Sequence, residues 1–166
     1  MGGIPKPLLL RDGESLLLRQ LRLLRDAGVR DAIVVLGHHA ARIKAELAQS
    51  PVLQHAAGTG VRVQWTLNPD PDRGTASSLC CGLETLSDSV QTVLVLLADQ
   101  PLLEAADIAV MLERWQDRTP GVDLLVPQHA GAPGHPVVFG YEVRNAMVER
   151  GISIPDWRKE SPDRVQ

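Results

Sequence analysis

Four short segments carry residue types that suit phosphate and cation chemistry. Asp99 directly follows the apolar stretch VLVLLA and precedes QPLL. A carboxylate at the carboxyl end of a buried strand can bind a hard cation such as Mg²⁺ while the cation bridges phosphate oxygens. Its competing reading is a cap for the helix that starts after Pro101. Lys6 lies in GGIPKPLL, where Gly2 and Gly3 are flexible and the prolines fix the backbone. Such a segment can present a cation and backbone N–H groups to phosphate, although it lacks the G-x-x-x-x-G-K-[ST] pattern, and a plain solvated lysine is the alternative.

The third segment is NPDPDRGTASSL. Asn68 follows a strand, Gly74 and two prolines shape the connection, and Thr75, Ser77 and Ser78 open a helix. The first turn of a helix exposes unpaired N–H groups and the positive end of its dipole, so this stretch reads as a polar ligand wall or as simple helix capping. The fourth is GAPGHPVVFG, where Gly134 and Pro136 hold His135 near a strand start. There the imidazole can orient a substrate or donate to phosphate. Zinc chemistry is not expected, because no second His or Cys stands at a usual spacing; His38 and His39 are merely neighbours. Cys80 and Cys81 point about 100° apart on a helix and read as small buried hydrophobes.

These residues need a scaffold of alternating helices and buried strands. ESLLLRQLRLLRDAG places Leu17, Leu21 and Leu24 on one helical face and closes at Gly28. AIVVLG, residues 32–37, reads as a strand buried on both faces. The alternation continues with a helix in HHAARIKAELAQ, a strand over 61–67, a helix over 75–86 and a strand, VQTVLVLLAD, ending at Asp99. A helix over 104–116, short strands at 123–126 and 136–139 and a helix over about 142–149 complete the pattern. The tail SIPDWRKESPDRVQ shows no strong strand. The expected architecture is a three-layer α/β/α sandwich around a mainly parallel, Rossmann-like sheet.

The chain has 166 residues, the size of a single domain, with 44% hydrophobic residues that are mostly aliphatic. Seventeen Lys and Arg against twenty Asp and Glu give a net charge of -3, which offers no general steering toward nucleic acid or an anionic membrane. The longest apolar run, Val93 to Ala98, is too short to span a bilayer, so a cytoplasmic location is expected. No G-x-G-x-x-G follows a first strand, which argues against a dinucleotide-dependent oxidoreductase.

Taken in order, the four segments resemble the MobA-like nucleotidyltransferase family, especially its branch related to molybdenum cofactor cytidylyltransferase. Gly2, Gly3, Pro5, Lys6, Leu8 and Leu9 match the end of the family's glycine-rich loop and G-x-P-K-x-L-L. Asn68, Pro69, Gly74, Ser78 and Leu79 match N-P-x(n)-G-x-x-x-S-L. Asp99 and Pro101 stand for G-D-x-P, and Gly134, His135 and Pro136 for G-H-P. The resemblance implies a fold of the nucleotide-diphospho-sugar transferase type and transfer of a nucleoside monophosphate from a triphosphate, CTP favoured over GTP, with release of pyrophosphate. It also implies Lys6 as a phosphate ligand, Asp99 as a Mg²⁺ ligand, and Gly2, Gly3, Asn68, Gly74, Ser77 and Ser78 on the nucleotide side. Gly134, His135 and Pro136 face an acceptor such as a phosphorylated pterin. Of the family's opening strand with L-A-A-G-x-S-x-R-M-G only M-G, Met1 and Gly2, is matched, and DWRKESPDRVQ resembles the approach to its late D-x-D-T-P element without reaching it. Residues 1–166 are therefore expected to be one domain truncated at both ends, monomeric or weakly dimeric, with poor turnover. The alternative is a non-catalytic nucleotide- or pterin-binding or interaction domain of the same fold.

Overall fold

The computed structural model describes residues 3–48 and 60–166; Gly2 lies outside them. A small hairpin, β1 (Leu10–Arg11) and β2 (Glu14–Ser15), turns through Asp12 and Gly13, both with positive φ, and leads into helix α1 (Leu16–Asp26). Ser15 caps α1 by accepting from the Leu18 N–H, and Gly28 at φ 80° ends it as the sequence predicts. Strand β3 (Asp31–Leu36) pairs in parallel with β4 (Arg62–Leu67), in register from Asp31 with Arg62 to Leu36 with Leu67. Helix α2 (Ala40–Ala48) follows β3, and α3 (Thr75–Glu84) follows β4.

The second part of the sheet is built on β5 (Thr92–Val95), which leads through a loop into α4 (Ala105–Gln116). Strand β6 (Leu124–Leu125) and the small hairpin β7 (Gln128–His129) and β8 (Ala132–Pro133) come next, then β9 (Val137–Gly140). Strand β9 lies between β5 and β6 and is antiparallel to both, so β5 and β6 run in the same direction. Among the described residues, no ladder joins β5–β9–β6 to β3–β4. Helices α5 (Tyr141–Arg150) and α6 (Ile154–Glu160) close the chain.

Side-chain alternation along β5 shows why the sheet has helices on both faces. Leu94 and Leu96 pack with Leu17, Leu21 and Leu24 of α1 and Ile108 of α4. Val93 and Val95 join Leu83 of α3, Val143 and Met147 of α5 and Trp157 of α6. The sheet is thus sandwiched between helical layers, the Rossmann-like α/β arrangement expected.

The structure departs from the sequence expectation at one strand end and in two small hairpins, and it adds a helix in the tail. The strand predicted to reach Asp99 loses its ladder after Val95, because its partner β9 begins at Val137 and the preceding Pro136 has no N–H to give. The tail, in which no strong strand is expected, forms α6 through a Ser153–Asp156 capping box and buries Trp157, which is 3% exposed. Val165 then bridges to Leu124, and the Gln166 N–H donates to the Leu124 carbonyl at 3.0 Å. The two small hairpins were not foreseen, although Asp12–Gly13 is a turn signal. Among the described residues, no helix is long and apolar enough to cross a membrane.

Gly82 is where α3 lies against β3: a Cβ there would stand 2.9 Å from Val35 Cγ2. Gly82→Ala is therefore expected to destabilise the fold by about 1–2 kcal/mol despite alanine's better helix propensity. In a Val35→Ala background the added methyl finds room, and most of that loss should vanish in urea denaturation of the four-protein cycle.

Candidate functional site

Lys6 opens a short 3₁₀ turn, Lys6–Leu8, with prolines on either side of it. Pro5 is buried and Leu8 packs on the α1 side of the sheet, so the turn is anchored while the Lys6 side chain, 79% exposed, projects outward. Its Nζ stands 4.0 Å from Asp99 Oδ2. Such a pair between exposed groups adds little stability, so both charges stay available to a ligand. Gly3 is exposed, and an added Cβ there meets nothing within 4 Å.

Asp99 sits in the loop that continues β5 into α4. It does not cap that helix: Glu104 is the N-cap, its side chain taking the Asp107 N–H while Asp107 returns the bond at 2.8 Å. The capping alternative for Asp99 is thereby removed. The loop is gripped from α1 and β1 instead. Gln20 Nε2 donates to the Gln100 carbonyl at 2.7 Å, Arg19 Nη1 to the Leu103 carbonyl and Arg11 Nη1 to the Pro101 carbonyl. Sequence spacing did not reveal these contacts. The available signal was two polar residues, Arg19 and Gln20, one turn beyond Leu16 on the apolar stripe of α1.

The register of β5 with β9 brings the fourth segment to the same edge. Val95 opposes Val137, so the chain before Val137, Gly134–His135–Pro136, lies beside the chain leaving Val95 toward Asp99. His135 is half-buried, and burial holds its imidazole below the ordinary value of 6.5. Neutral near pH 7, the ring has one N–H donor and one acceptor. The Gly134 N–H donates to the Pro127 carbonyl at 2.8 Å and fixes the approach.

Asn68, in the stretch that reads as a polar ligand wall or as helix capping, turns inward. It is 3% exposed, with Nδ2 donating to Ser77 Oγ at 2.9 Å and Ser78 Oγ at 3.0 Å while Oδ1 accepts from the Asp70 N–H. Ser77 Oγ also donates to the Gly74 carbonyl at 2.8 Å. Asn68 is thus a strut that ties the end of β4 to the first turn of α3. Gly74 caps that helix at φ 94°, a conformation that favours glycine. At the neighbouring rim, His38 Nε2 meets Asp72 Oδ1 at 3.1 Å. Cys80 and Cys81 are half-buried rather than fully buried as expected, and this partial burial pushes the Cys80 thiol up.

A half-open cleft of about 530 Å³ lies at the other end of the β5–β9 ladder, lined by Thr92, Trp115, Arg118 and Gly140 among others. It is away from Asp99, and Arg118 is engaged there by the Trp115 and Val122 carbonyls. Among the described residues, no three His, Cys, Asp or Glu side chains gather into a ready-made metal site.

Lys6, Asp99 and the Gly134–Pro136 segment lie beyond the paired ends of β5 and β9 in an α/β sandwich, the region where open α/β sheets collect ligands. The chain belongs to the family of the MobA-like NTP transferase domain, which it matches over residues 1–152. It is 28% identical over 158 residues to the bifunctional protein GlmU of Mycobacterium leprae, covering 93% of this chain and 31% of that protein. The chain thus spans about a third of the curated relative's length. Among solved structures, Rv0371c of Mycobacterium tuberculosis in complex with manganese is similar at TM-score 0.69 and 24% identity, over 99% of this chain and 81% of that one. The 4-diphosphocytidyl-2C-methyl-D-erythritol synthase of Anaerococcus prevotii is similar at TM-score 0.71 and 14% identity, over 99% and 80%. These structural likenesses bear on the fold.

Two measurements check the local chemistry. Asn68→Ala removes a three-bond strut and should cost about 2 kcal/mol in chemical denaturation. A buried neutral His135 favours the folded state above its unfolded pKa of 6.5, and that contribution declines as pH falls below 6.5, where the unfolded chain takes up the proton first. Thermal midpoints should therefore fall more between pH 7 and 5.5 for the natural protein than for His135→Asn.

Proposed function

We propose that residues 1–166 form one nucleotidyltransferase domain that moves a nucleoside monophosphate from a triphosphate to a phosphorylated acceptor and releases pyrophosphate. CTP is the favoured donor, with GTP as the alternative, and a phosphorylated pterin such as molybdopterin is the favoured acceptor class. The observation that carries this reading is the meeting of Lys6 with Asp99 at the end of β5, in a chain of the MobA-like family.

In this reading an acceptor phosphate oxygen attacks the α-phosphorus as the bond from that phosphorus to the oxygen bridging the β-phosphorus breaks. The electron pair leaves with pyrophosphate. Such chemistry asks for alignment and charge neutralisation more than for a protein nucleophile. Lys6, held on its proline-bounded turn, supplies one positive charge to the triphosphate. Gly3, with open space where a side chain would project, lets the backbone approach the phosphates, and Gly2 belongs to the same stretch. The N-terminal turn of α3, set by Gly74, presents N–H groups to the nucleotide, and Asn68 acts through the placement of Ser77 and Ser78.

The donor set fits a magnesium ion. Mg²⁺ keeps several waters and is usually bound through one or two carboxylates plus substrate phosphates, which suits one accessible carboxylate with no acidic cage around it among the described residues. Asp99 would hold the ion, which when bound would neutralise charge on the phosphate oxygens. His135, as a neutral donor flanked by Gly134 and Pro136, would orient the acceptor phosphate.

Pyrophosphate release from CTP and from GTP, with Mg²⁺ and a phosphorylated pterin, tests the reading. Asp99→Asn should lower kcat by about a hundredfold or more with little change in thermal midpoint. His135→Ala should raise the acceptor KM and leave nucleotide affinity unchanged. Equal loss of activity and stability in Asp99→Asn, or selective loss of CTP affinity in His135→Ala, would contradict these assignments.

A further inference from the structure

The loop that carries Asp99 makes no ladder bonds. Its own tie is the Leu97 N–H donating to Gln100 Oε1 at 3.2 Å, and three of its carbonyls accept from side chains 80 to 90 residues earlier in the chain. Two of those side chains are buried within the leucine stripe of α1: Arg19 is 8% exposed and Gln20 is 3% exposed. Their placement is costly. Among the described residues no carboxylate pairs with Arg19, and Gln20 Oε1 is buried with no hydrogen-bond partner. Leucine at position 20 would extend the stripe of Leu16, Leu17, Leu21, Leu23 and Leu24 without an orphaned acceptor.

A buried amide with one end satisfied and the other orphaned calls for a reason beyond stability. Its satisfied end holds the carbonyl of the residue directly after Asp99. Arg19 holds the Leu103 carbonyl, just before Glu104 caps α4. Between them the two side chains pin both limbs of the turn at whose start the carboxylate stands.

We propose that Arg19 and Gln20 are positioning residues that fix the Asp99 carboxylate for a cation-bearing nucleoside triphosphate; this rests on the nucleotidyltransferase reading above. Neither touches the ligand. Each acts through a backbone carbonyl of the Asp99 loop, as the outer partners of metal ligands do when they set ligand orientation. Stability and affinity should therefore separate. Gln20→Leu forfeits the bond to Gln100 but also removes the orphaned Oε1, so the fold should lose little, whereas the carboxylate gains freedom.

The test uses the full chain with Mn²⁺ as a spin probe, its uptake measured by electron paramagnetic resonance in the presence of CTP or GTP. Gln20→Leu should weaken Mn²⁺–nucleotide binding about tenfold, with a thermal midpoint close to that of the natural protein. Arg19→Met should act likewise, and Arg19→Lys, which keeps a donor, should recover part of the loss. Without metal or nucleotide, amide exchange over residues 97–103 should accelerate in Gln20→Leu. Arg25→Gln, on the exposed face of α1, should change none of these. If the natural protein takes up no Mn²⁺ with either nucleotide, the nucleotidyltransferase reading falls. If it does, but Gln20→Leu binds equally well, exchanges at the same rate, or loses affinity only as its midpoint falls, the positioning role is overturned and that reading stands.

Discussion

The pairing of β5 with β9 is the constraint on which the rest of the molecule depends. Val138 and Phe139 are completely buried, and the ladder places alternate β5 side chains into the two helical layers. It also has a definite end. Pro136 cannot donate to a neighbouring strand, so pairing stops at Val95 with Val137, and both chains leave the sheet at the same level. One carries Asp99 and the other His135. The termination of an apolar ladder therefore determines where polar groups gather, which is how a buried sheet produces a ligand edge.

Buried polar residues elsewhere serve chain termini and turns. Ser15 caps the start of α1. Arg144 lies in α5 and donates to the carbonyls of Ser87 and Leu86 beyond the last turn of α3, where a cation also complements the helix dipole. Asn68 ties a strand end to a helix start, and Arg19 with Gln20 holds the Asp99 loop. Each satisfies backbone groups that regular secondary structure leaves unpaired.

Much of this was legible in the sequence because it rests on periodicity. The helix of Leu17, Leu21 and Leu24 and the β-branched strand after it could be read from spacing alone, as could the position of Asp99 after an apolar run. Proximity of Lys6 to Asp99, 93 residues apart, was implied by the family resemblance; spacing alone could not show it. The inward turn of Asn68 was not legible, since an asparagine after a strand reads alike whether it faces a ligand or a neighbouring serine. The grip of α1 on the Asp99 loop was also hidden, because nothing local couples residue 20 to residue 100. The helix in the tail was hidden for another reason: polar residues masked one buried tryptophan and a capping serine, which suffice to dock a short helix.

The separation of β3–β4 from β5–β9–β6 bears on how the protein deforms. Where a continuous hydrogen-bonded sheet resists sliding between strands, the described residues of these two parts communicate through side-chain packing, with α1, α4 and α3 as the intermediaries. Packed apolar surfaces tolerate small lateral shifts more readily than a ladder, whose bonds are directional. Shear between the sheet halves is accordingly the expected soft direction of the described residues, with the Asn68–Gly74 connection on one half and Asp99 and His135 on the other. A ligand contacting both would act as a mechanical tie and stiffen the protein along that direction.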